Sequence, residues 1–225
     1  MTISKEQIQI RPSYVVFESN QPLKILSSAL HNAGFGWYNT CMNRAVDANY
    51  MCEDAHTEMK EYIEKQGFQP DQTVAMMTAV AARYAIIREF EADGIHVVIM
   101  VTAGVGNAVD VSKSYLRKPF YEVGTINIWA FIDATLTEEA FVQAMMTATE
   151  AKVKALADEK ITDRISNTIA TGTSTDSILI GATQQGTTQN YAGTVTPVGR
   201  ILGRGVYETV VDALHDYKRA KGMME

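Results

Sequence analysis

The chain has 225 residues, of which 46% are hydrophobic and 20% charged, and its formal net charge is −6. This composition is typical of a globular protein that buries a large core. No Pro- or Ser-rich linker divides the chain, so a single domain over residues 1–225 is expected. The acidic balance, without a tract of Lys or Arg, argues against a nucleic-acid partner. No apolar run approaches the roughly 20 residues that span a bilayer, so no membrane partner is expected.

The cysteine and histidine content bears on compartment and metal chemistry. Cys41 and Cys52 are the only cysteines, and the first ten residues lack the apolar segment of a secretory signal. Reduced thiols in the cytoplasm are therefore expected. The histidines are far apart and the cysteines lack C-x-x-C spacing, which argues against a structural zinc site. An oxygen-ligand site using Asp176 or Glu150 stays open, although no spacing favours it.

Two hairpins are predicted in the first half of the chain. Residues 7–18 and 23–27 are rich in β-branched and aromatic side chains, and Ser19-Asn20-Gln21-Pro22 between them predicts a turn. Within residues 84–101, Asp93-Gly94 separates two β-rich runs, which is a strong hairpin signal. Both predictions favour antiparallel pairing.

A third strand and a short helix are expected between these hairpins. The strand covers about 37–46 and contains Asn43 and Arg44, two polar groups that need partners if they are buried. The helix covers about 52–66, is highly charged, and ends at Gly67.

A segment of small residues follows the second hairpin. Residues 102–108 read T-A-G-V-G-N-A, but Val109 stands where a dinucleotide-binding fingerprint would have its third glycine. That reading is therefore discarded. Residues 111–123 resemble an irregular, exposed loop, and residues 124–133 predict a buried strand with one polar residue, Asn127, in its middle.

Two long amphipathic helices are predicted in the second half. The first begins at a capping box formed by Thr135 and Glu138, or at Thr137, and continues to about Glu159. The second begins at Thr196-Pro197 and continues to about residue 218. The expected fold class is therefore α+β, with largely antiparallel sheet covered by two long helices and one short helix.

The stretch of greatest chemical interest is residues 169–177, I-A-T-G-T-S-T-D-S. One interpretation is a local turn whose hydroxyls bond to their own backbone. The other is an active-site loop: in an extended chain Ser174 and Asp176 share a face. Asp176 could then act as a general base, and backbone N–H groups around Gly172 could form an oxyanion hole.

Several motifs in order resemble the adenosylcobinamide amidohydrolase family of corrinoid salvage, from about residue 24 to residue 213. They are L-S-S-A at 26–29, N-x-G at 32–34, Asn43, M-T-A at 77–79, V-T-A-G-x-x-N-A at 101–108, G-T-I-N-I at 124–128, T-E-A-K-x-x-A-L at 149–156, T-G-T-S-T-D-S at 171–177 and Y-A-G-T-x-T-x-x-G at 191–199. The resemblance implies hydrolysis of the amide between aminopropanol and the corrin side chain of adenosylcobinamide, which gives adenosylcobyric acid. The corrinoid would then be a small-molecule substrate, with no separate cofactor.

The resemblance assigns no nucleophile, so site residues are predicted from motif position and chemistry. The predicted catalytic residues are two carboxylates, two hydroxyls and an amide: Asp176, Glu150, Ser174, Thr175 and Asn43. Those predicted to bind the substrate are Asn32, Gly34, Thr102, Gly104, Asn107, Asn127, Thr173, Tyr191 and Thr194. Glu150 forms a second candidate pair with Lys152, although a simple i,i+4 pair with Lys154 would also explain it.

A planar corrinoid needs a broad apolar platform, and aromatic side chains supply area and rigidity. The candidates are Trp37, Tyr38, Tyr115, Phe120 and Tyr121, of which the last three stand in loop-like sequence. Two other functions stay open at this stage: a corrinoid-binding module without activity, and a hydrolase of a different amide. A homo-oligomeric state also stays open.

Overall fold

A computed structural model describes residues 2–117 and 124–222. Twelve strands are present in these residues: β1 (Ile8–Ile10), β2 (Tyr14–Ser27), β3 (Gly34–Ala45), β4 (Thr73–Thr78), β5 (Ile86–Ala92), β6 (Ile95–Ala103), β7 (Ala108–Val109), β8 (Ile126–Ile132), β9 (Thr135–Leu136), β10 (Gly172–Thr173), β11 (Ser177–Ala182) and β12 (Thr188–Gln189). The α-helices are α1 (Ala55–Lys65), α2 (Glu138–Asp158) and α3 (Pro197–Ala220), and short 3-10 turns cover Lys5–Gln7, Pro70–Gln72, Ala82–Tyr84 and Val111–Leu116.

The main sheet has the strand order β4-β3-β2-β11-β8-β6-β5, with β1 paired to β2. Its pairs are antiparallel except β3 with β4 and β8 with β11. The predicted α+β class with a largely antiparallel sheet is therefore confirmed. Helices α2 and α3 are long, at 21 and 24 residues, and α1 is short, at 11 residues. In the described residues, no helix is both long enough and apolar enough to cross a membrane.

Alternation along the central strands gives the sheet two apolar faces. On one face, Val97, Ile99 and Val101 of β6 belong to the core that α2 and α3 cover. On the other face, Val98 and Met100 belong to a second core formed with β2, β3 and β4. The sheet therefore folds back on itself, and no helix is needed to cover this second face at its centre.

The predicted turn at Ser19–Pro22 is wrong, because β2 continues through these residues. They form an irregularity in the β2–β3 pairing: Glu18 pairs with Thr40 and Leu23 with Tyr38, so β2 uses more residues than β3 between the two pairs. The surplus residues are a bulge, which bends and twists a strand. These turn-forming residues interrupt regular pairing without reversing the chain.

The bend brings the two halves of the sheet together. Phe17 of β2 stacks on Phe131 of β8 with ring centroids 4.2 Å apart. The predicted hairpin at Asp93-Gly94 is confirmed, and both residues have the positive φ angles, 53° and 70°, that such a turn requires.

Element boundaries differ from the sequence-based expectations by a few residues. Of the two predicted starts for α2, Thr137 is correct: its hydroxyl accepts from the Ala140 N–H at 3.3 Å, while Thr135 lies in β9. Helix α1 begins later than predicted because the Asp54 carboxylate caps it by accepting from the Thr57 N–H. The predicted exposed loop at 111–123 is a 3-10 turn over its first part, and its remainder from 118 lies outside the described residues.

Two of the three glycines in α3, Gly199 and Gly203, differ in whether a side chain would fit at their position. A Cβ on Gly199 would lie 1.9 Å from the Gly193 carbonyl oxygen, so another segment of backbone approaches the helix closely there. A Cβ on Gly203 would meet only Thr147 Cγ2, at an ordinary 3.6 Å. Both arginines near the start of the helix have acidic partners: Arg200 pairs with Asp93, and Arg204 pairs with Glu208.

Candidate functional site

The two segments of small residues, 102–108 and 171–177, lie next to each other. Strand β10 pairs antiparallel with β7, so that Gly172 lies opposite Val109 and Thr173 opposite Ala108. Beyond this short ladder, the Asn107 side-chain N–H donates to Ser174 Oγ at 2.8 Å. The hydroxyl-rich stretch is thus held against the segment that follows β6.

A cleft of about 910 Å³ opens beside this junction. Its volume lies within the range of small-molecule sites. One wall is formed by the C-terminal half of α2, through Thr149, Lys152 and Val153. The floor is formed by residues 171–174 and Asp176, and the remaining wall comes from Ile165 and from five residues of the segment 107–117. The cleft therefore joins a polar end, built from hydroxyls and charges, to an apolar side.

The carboxylate of Asp176 lies at the polar end and is fully engaged. Its Oδ1 accepts from the Ile126 N–H at 3.0 Å and from the Thr173 hydroxyl, and its Oδ2 accepts from the Thr173 N–H at 3.1 Å and from Lys152. A carboxylate offers about four lone-pair positions. The four hydrogen bonds use these positions, so Asp176 anchors the loop in this structure, and its predicted role as a general base stays a prediction.

The ammonium of Lys152 completes this arrangement. Its side chain is 8% exposed and lines the cleft, and it forms an ion pair with Asp176. A Cβ built on Gly172 would lie 2.4 Å from Asp176 Oδ2 and 2.9 Å from Lys152 Nζ. The ion pair therefore rests directly on the Gly172 backbone, and a glycine is needed for this contact rather than for an unusual φ angle.

The hydroxyls of the stretch face different spaces. Ser174 is exposed and lines the large cleft, with its Oγ oriented by Asn107. Thr175 is also exposed, but its hydroxyl donates to the Gly124 carbonyl at 2.8 Å, and it lines a second cleft of about 390 Å³. Of the two predicted hydroxyl partners, the structure brings Ser174 into the cleft with Asp176 and places Thr175 beside it.

The two predicted amides form a buried network behind the loop. Asn127 donates to Asn43 Oδ1 at 2.8 Å, and Asn43 donates to Thr102 Oγ1 at 2.9 Å. All three residues are fully buried. Asn43, predicted as catalytic, and Asn127 and Thr102, predicted to bind substrate, therefore have structural partners in this network. Thr125 connects the network to the loop, since it lies 3.1 Å from Asn127 Oδ1 and donates to the Thr175 carbonyl at 2.7 Å.

Other predicted residues lie away from the cleft. Glu150 is exposed on the neighbouring face of α2, beside Met146, and its expected partner Lys154 pairs with Asp158 instead. The predicted Glu150–Lys152 pair is therefore replaced by Lys152–Asp176.

The remaining predicted binding positions also lie outside the cleft walls. Tyr191 and Thr194 flank a loop that Gln143 holds near the start of α2 through its contact with the Ala192 N–H. Asn32 is used structurally, since it donates to the carbonyls of Pro70 and Thr73.

Two glycines of the predicted binding set also have backbone roles. Gly34 has φ of 85° at the start of β3, and Gly104 is buried and faces Val80.

Sequence analysis missed an ion pair at the edge of the cleft, between Arg117 and Asp163. The Asp163 carboxylate, 1% exposed, accepts from Arg117 at 2.6 Å and from the N–H groups of Asp110 and Ile165. Burial by itself raises the pKa of this carboxyl, but these hydrogen bonds outweigh it and hold the pKa at about 2. Arg117 and Asp163 are distant in sequence, so no local pattern pointed to them.

The predicted aromatic platform stays a prediction, because none of its described members lines the cleft. Tyr115 is 75% exposed and lies in the 3-10 turn that contributes Val111 and Ser114 to the cleft wall. Trp37 and Tyr38 lie on β3 and do not line the cleft. Phe120 and Tyr121 lie outside the described residues.

Metal ligands do not cluster in residues 2–117 and 124–222: no group of three or more His, Cys, Asp or Glu side chains could hold an ion. The polar end of the cleft instead combines an ammonium, a carboxylate and hydroxyls.

These observations define an α+β protein with a ligand-sized cleft over a loop of hydroxyls anchored by a buried ion pair. The model of the adenosylcobinamide amidohydrolase (CbiZ) family matches residues 1–222, and the chain belongs to that family.

Similar proteins are distant in sequence. The uncharacterized protein MJ1613 of Methanocaldococcus jannaschii is 28% identical over 222 residues, covering 89% of this chain and 85% of MJ1613. The uncharacterized ABC transporter ATP-binding protein YvrA of Bacillus subtilis is 23% identical over 199 residues. That match covers 88% of this chain but 36% of YvrA.

Solved structures resemble the fold only remotely. A Burkholderia sp. beta-aminopeptidase is 14% identical with a TM-score of 0.43, and the match covers 91% of this chain and 79% of the peptidase. The PH0078 protein of Pyrococcus horikoshii is 12% identical with a TM-score of 0.46, covering 95% and 80%. Neither similarity is close enough to transfer a function.

Proposed function

We propose that this protein hydrolyses the amide that joins aminopropanol to the propionyl side chain of the corrin ring in adenosylcobinamide. The products are aminopropanol and adenosylcobyric acid, which re-enters cobamide synthesis. The observation that carries this proposal is membership of the adenosylcobinamide amidohydrolase family over residues 1–222. The corrinoid is the substrate, and the proposal requires no separate cofactor.

The shape and chemistry of the large cleft support this assignment. Its apolar side, with Val111, Val153 and Ile165, suits the face or edge of a macrocycle. Its polar end, with Ser174 and Lys152, suits the amide at the end of a side chain. A substrate with an apolar body and a polar reacting arm would occupy both parts at once.

Amide hydrolysis needs an attacking oxygen and donors for the negative charge that develops on the carbonyl oxygen. The Ser174 hydroxyl is exposed in the cleft and oriented by Asn107, so it can bind the attacking water or the substrate carbonyl. Asp176 contributes by fixing the loop that carries Ser174, through its contacts with Thr173 and Ile126.

The proposal is tested by incubating the purified protein with adenosylcobinamide and quantifying aminopropanol and adenosylcobyric acid by mass spectrometry. We expect multiple turnovers, and a strong loss of turnover in Ser174→Ala. The control is Thr188→Ala, an exposed hydroxyl on β12 that does not line the cleft. Tight corrinoid binding without turnover would instead identify a binding module. Faster cleavage of small amides would identify a different hydrolase.

A further inference from the structure

We infer that Lys152 is a catalytic residue whose ammonium stabilises the anion formed on the carbonyl oxygen during amide hydrolysis, and that Asp176 positions it. This inference rests on the proposed function and deepens it, because it assigns the group that stabilises charge in the same cleft.

The first observation is the placement of the ammonium. Lys152 is almost fully buried, at 6% exposure for the whole residue, yet it lines the large cleft next to Ser174. A buried charge is costly unless it is paired. Asp176 provides that pairing, so a cation is held in a position from which the solvent is largely excluded.

The second observation concerns its unused donors. An ammonium has three N–H donors. Among the described residues, Asp176 is its one hydrogen-bond partner. The remaining donors are available to a substrate oxygen in the cleft. Lys152 belongs to the penultimate turn of α2, so the helix fixes the base of the side chain while the carboxylate fixes its tip.

The third observation is that the loop is shaped around this pair. Gly172 leaves room for both charged groups, since a Cβ there would overlap Asp176 Oδ2 and crowd Lys152 Nζ. Asp176 in turn receives the Ile126 N–H, so the pair is tied to the first residue of β8. This rigidity is what electrostatic stabilisation requires, because the donor then needs no reorganisation when charge develops.

The chemical step balances without any further reactant. The oxygen of water adds to the amide carbon, and the π electrons of the carbonyl move to its oxygen, where the ammonium donates a hydrogen bond without losing a proton. When the intermediate collapses, the carbon–nitrogen bond breaks. The leaving amine nitrogen takes a proton that came from the water, and the carbon retains the hydroxyl. Lys152 is unchanged at the end.

The test compares Lys152→Met with Lys154→Met in steady-state turnover of adenosylcobinamide. Lys154 lies on the same helix but is 66% exposed and pairs with Asp158, so it serves as the matched control. We expect Lys152→Met to lower kcat about 100- to 1,000-fold with little change in KM, and Lys154→Met to behave as wild type. Wild-type kcat in Lys152→Met would overturn the inference while leaving the proposed function intact. No turnover by the wild-type protein would overturn the proposed function itself.

A second measurement separates catalysis from a purely structural role. Lys152→Cys, made with Cys52→Ser, is alkylated with 2-bromoethylamine to restore an amine of nearly the same length. Cys52 is the exposed cysteine, and Cys41 is fully buried. We expect alkylation to raise kcat towards the wild-type value with little change in KM, because the restored amine acts on the transition state. A folded alkylated protein without recovery, or one whose recovery is confined to KM, would contradict the catalytic role.

Discussion

Substituting Gly172 with Ala tests whether the loop is built around the ion pair. The added methyl carbon would lie 2.4 Å from Asp176 Oδ2 and 2.9 Å from Lys152 Nζ, so at least one charged group must move. Gly172 does not have a positive φ, so Ala can adopt its backbone conformation and the effect should come from this contact. Over-packing a buried site costs about 1–3 kcal/mol.

The expected loss is measurable by urea unfolding. With a slope of about 3 kcal/mol per molar urea, it lowers the midpoint by roughly 0.3–1 M. Turnover should fall as well, because the ammonium is displaced. Gly203→Ala is the matched control: its nearest neighbour is at 3.6 Å, and replacing a helical glycine with Ala should stabilise the protein by up to about 1 kcal/mol. A Gly172→Ala protein with wild-type stability and turnover would refute this reasoning.

Three further predictions concern stability. The pKa of Asp163 is about 2 in the folded protein, below its unfolded value near 3.9. Its ionised carboxylate therefore contributes about 2 kcal/mol to the free energy of unfolding above about pH 4, and this contribution is lost as the pH falls towards 2. Unfolding free energies measured at pH 5 and pH 2 should show this loss in the wild-type protein but not in Asp163→Asn. Gly199→Ala should lower the melting temperature strongly, since its Cβ would meet the Gly193 carbonyl at 1.9 Å; an unchanged melting temperature would contradict the close approach. Asn127→Ala should cost about 1–3 kcal/mol in urea unfolding because Asn43 Oδ1 loses its donor; Gln9→Ala, at an exposed position, is its control.

Local signals were sufficient for part of the fold. Asp93-Gly94 fixes its hairpin within a few residues, and Thr196-Pro197 fixes the start of α3. The turn expected at Ser19–Pro22 is a case in which local signals predicted the wrong structure. Polar turn formers there can reverse a chain or bulge a strand, and only pairing with a distant strand decides between them.

The sequence indicated the loop of the candidate site but not the side-chain contacts that hold it. The hydroxyl-rich stretch was singled out by its composition, and its Ser174 lies in the cleft. The partner of Asp176 could not be read locally, because Lys152 is 24 residues away on a helix. The sequence feature that could have indicated this partner is that Lys152 interrupts an otherwise apolar helix surface. Asn43 and Asn127, 84 residues apart, meet only because the sheet folds on itself.

The most direct test of the central claim is hydrolysis of adenosylcobinamide in water enriched in ¹⁸O. The account predicts that aminopropanol and adenosylcobyric acid form in equal amounts, and that the new carboxylate carries ¹⁸O from the solvent. It also predicts that Lys152→Met slows this reaction while still binding the corrinoid. Corrinoid binding by the wild-type protein with no release of aminopropanol would contradict the account.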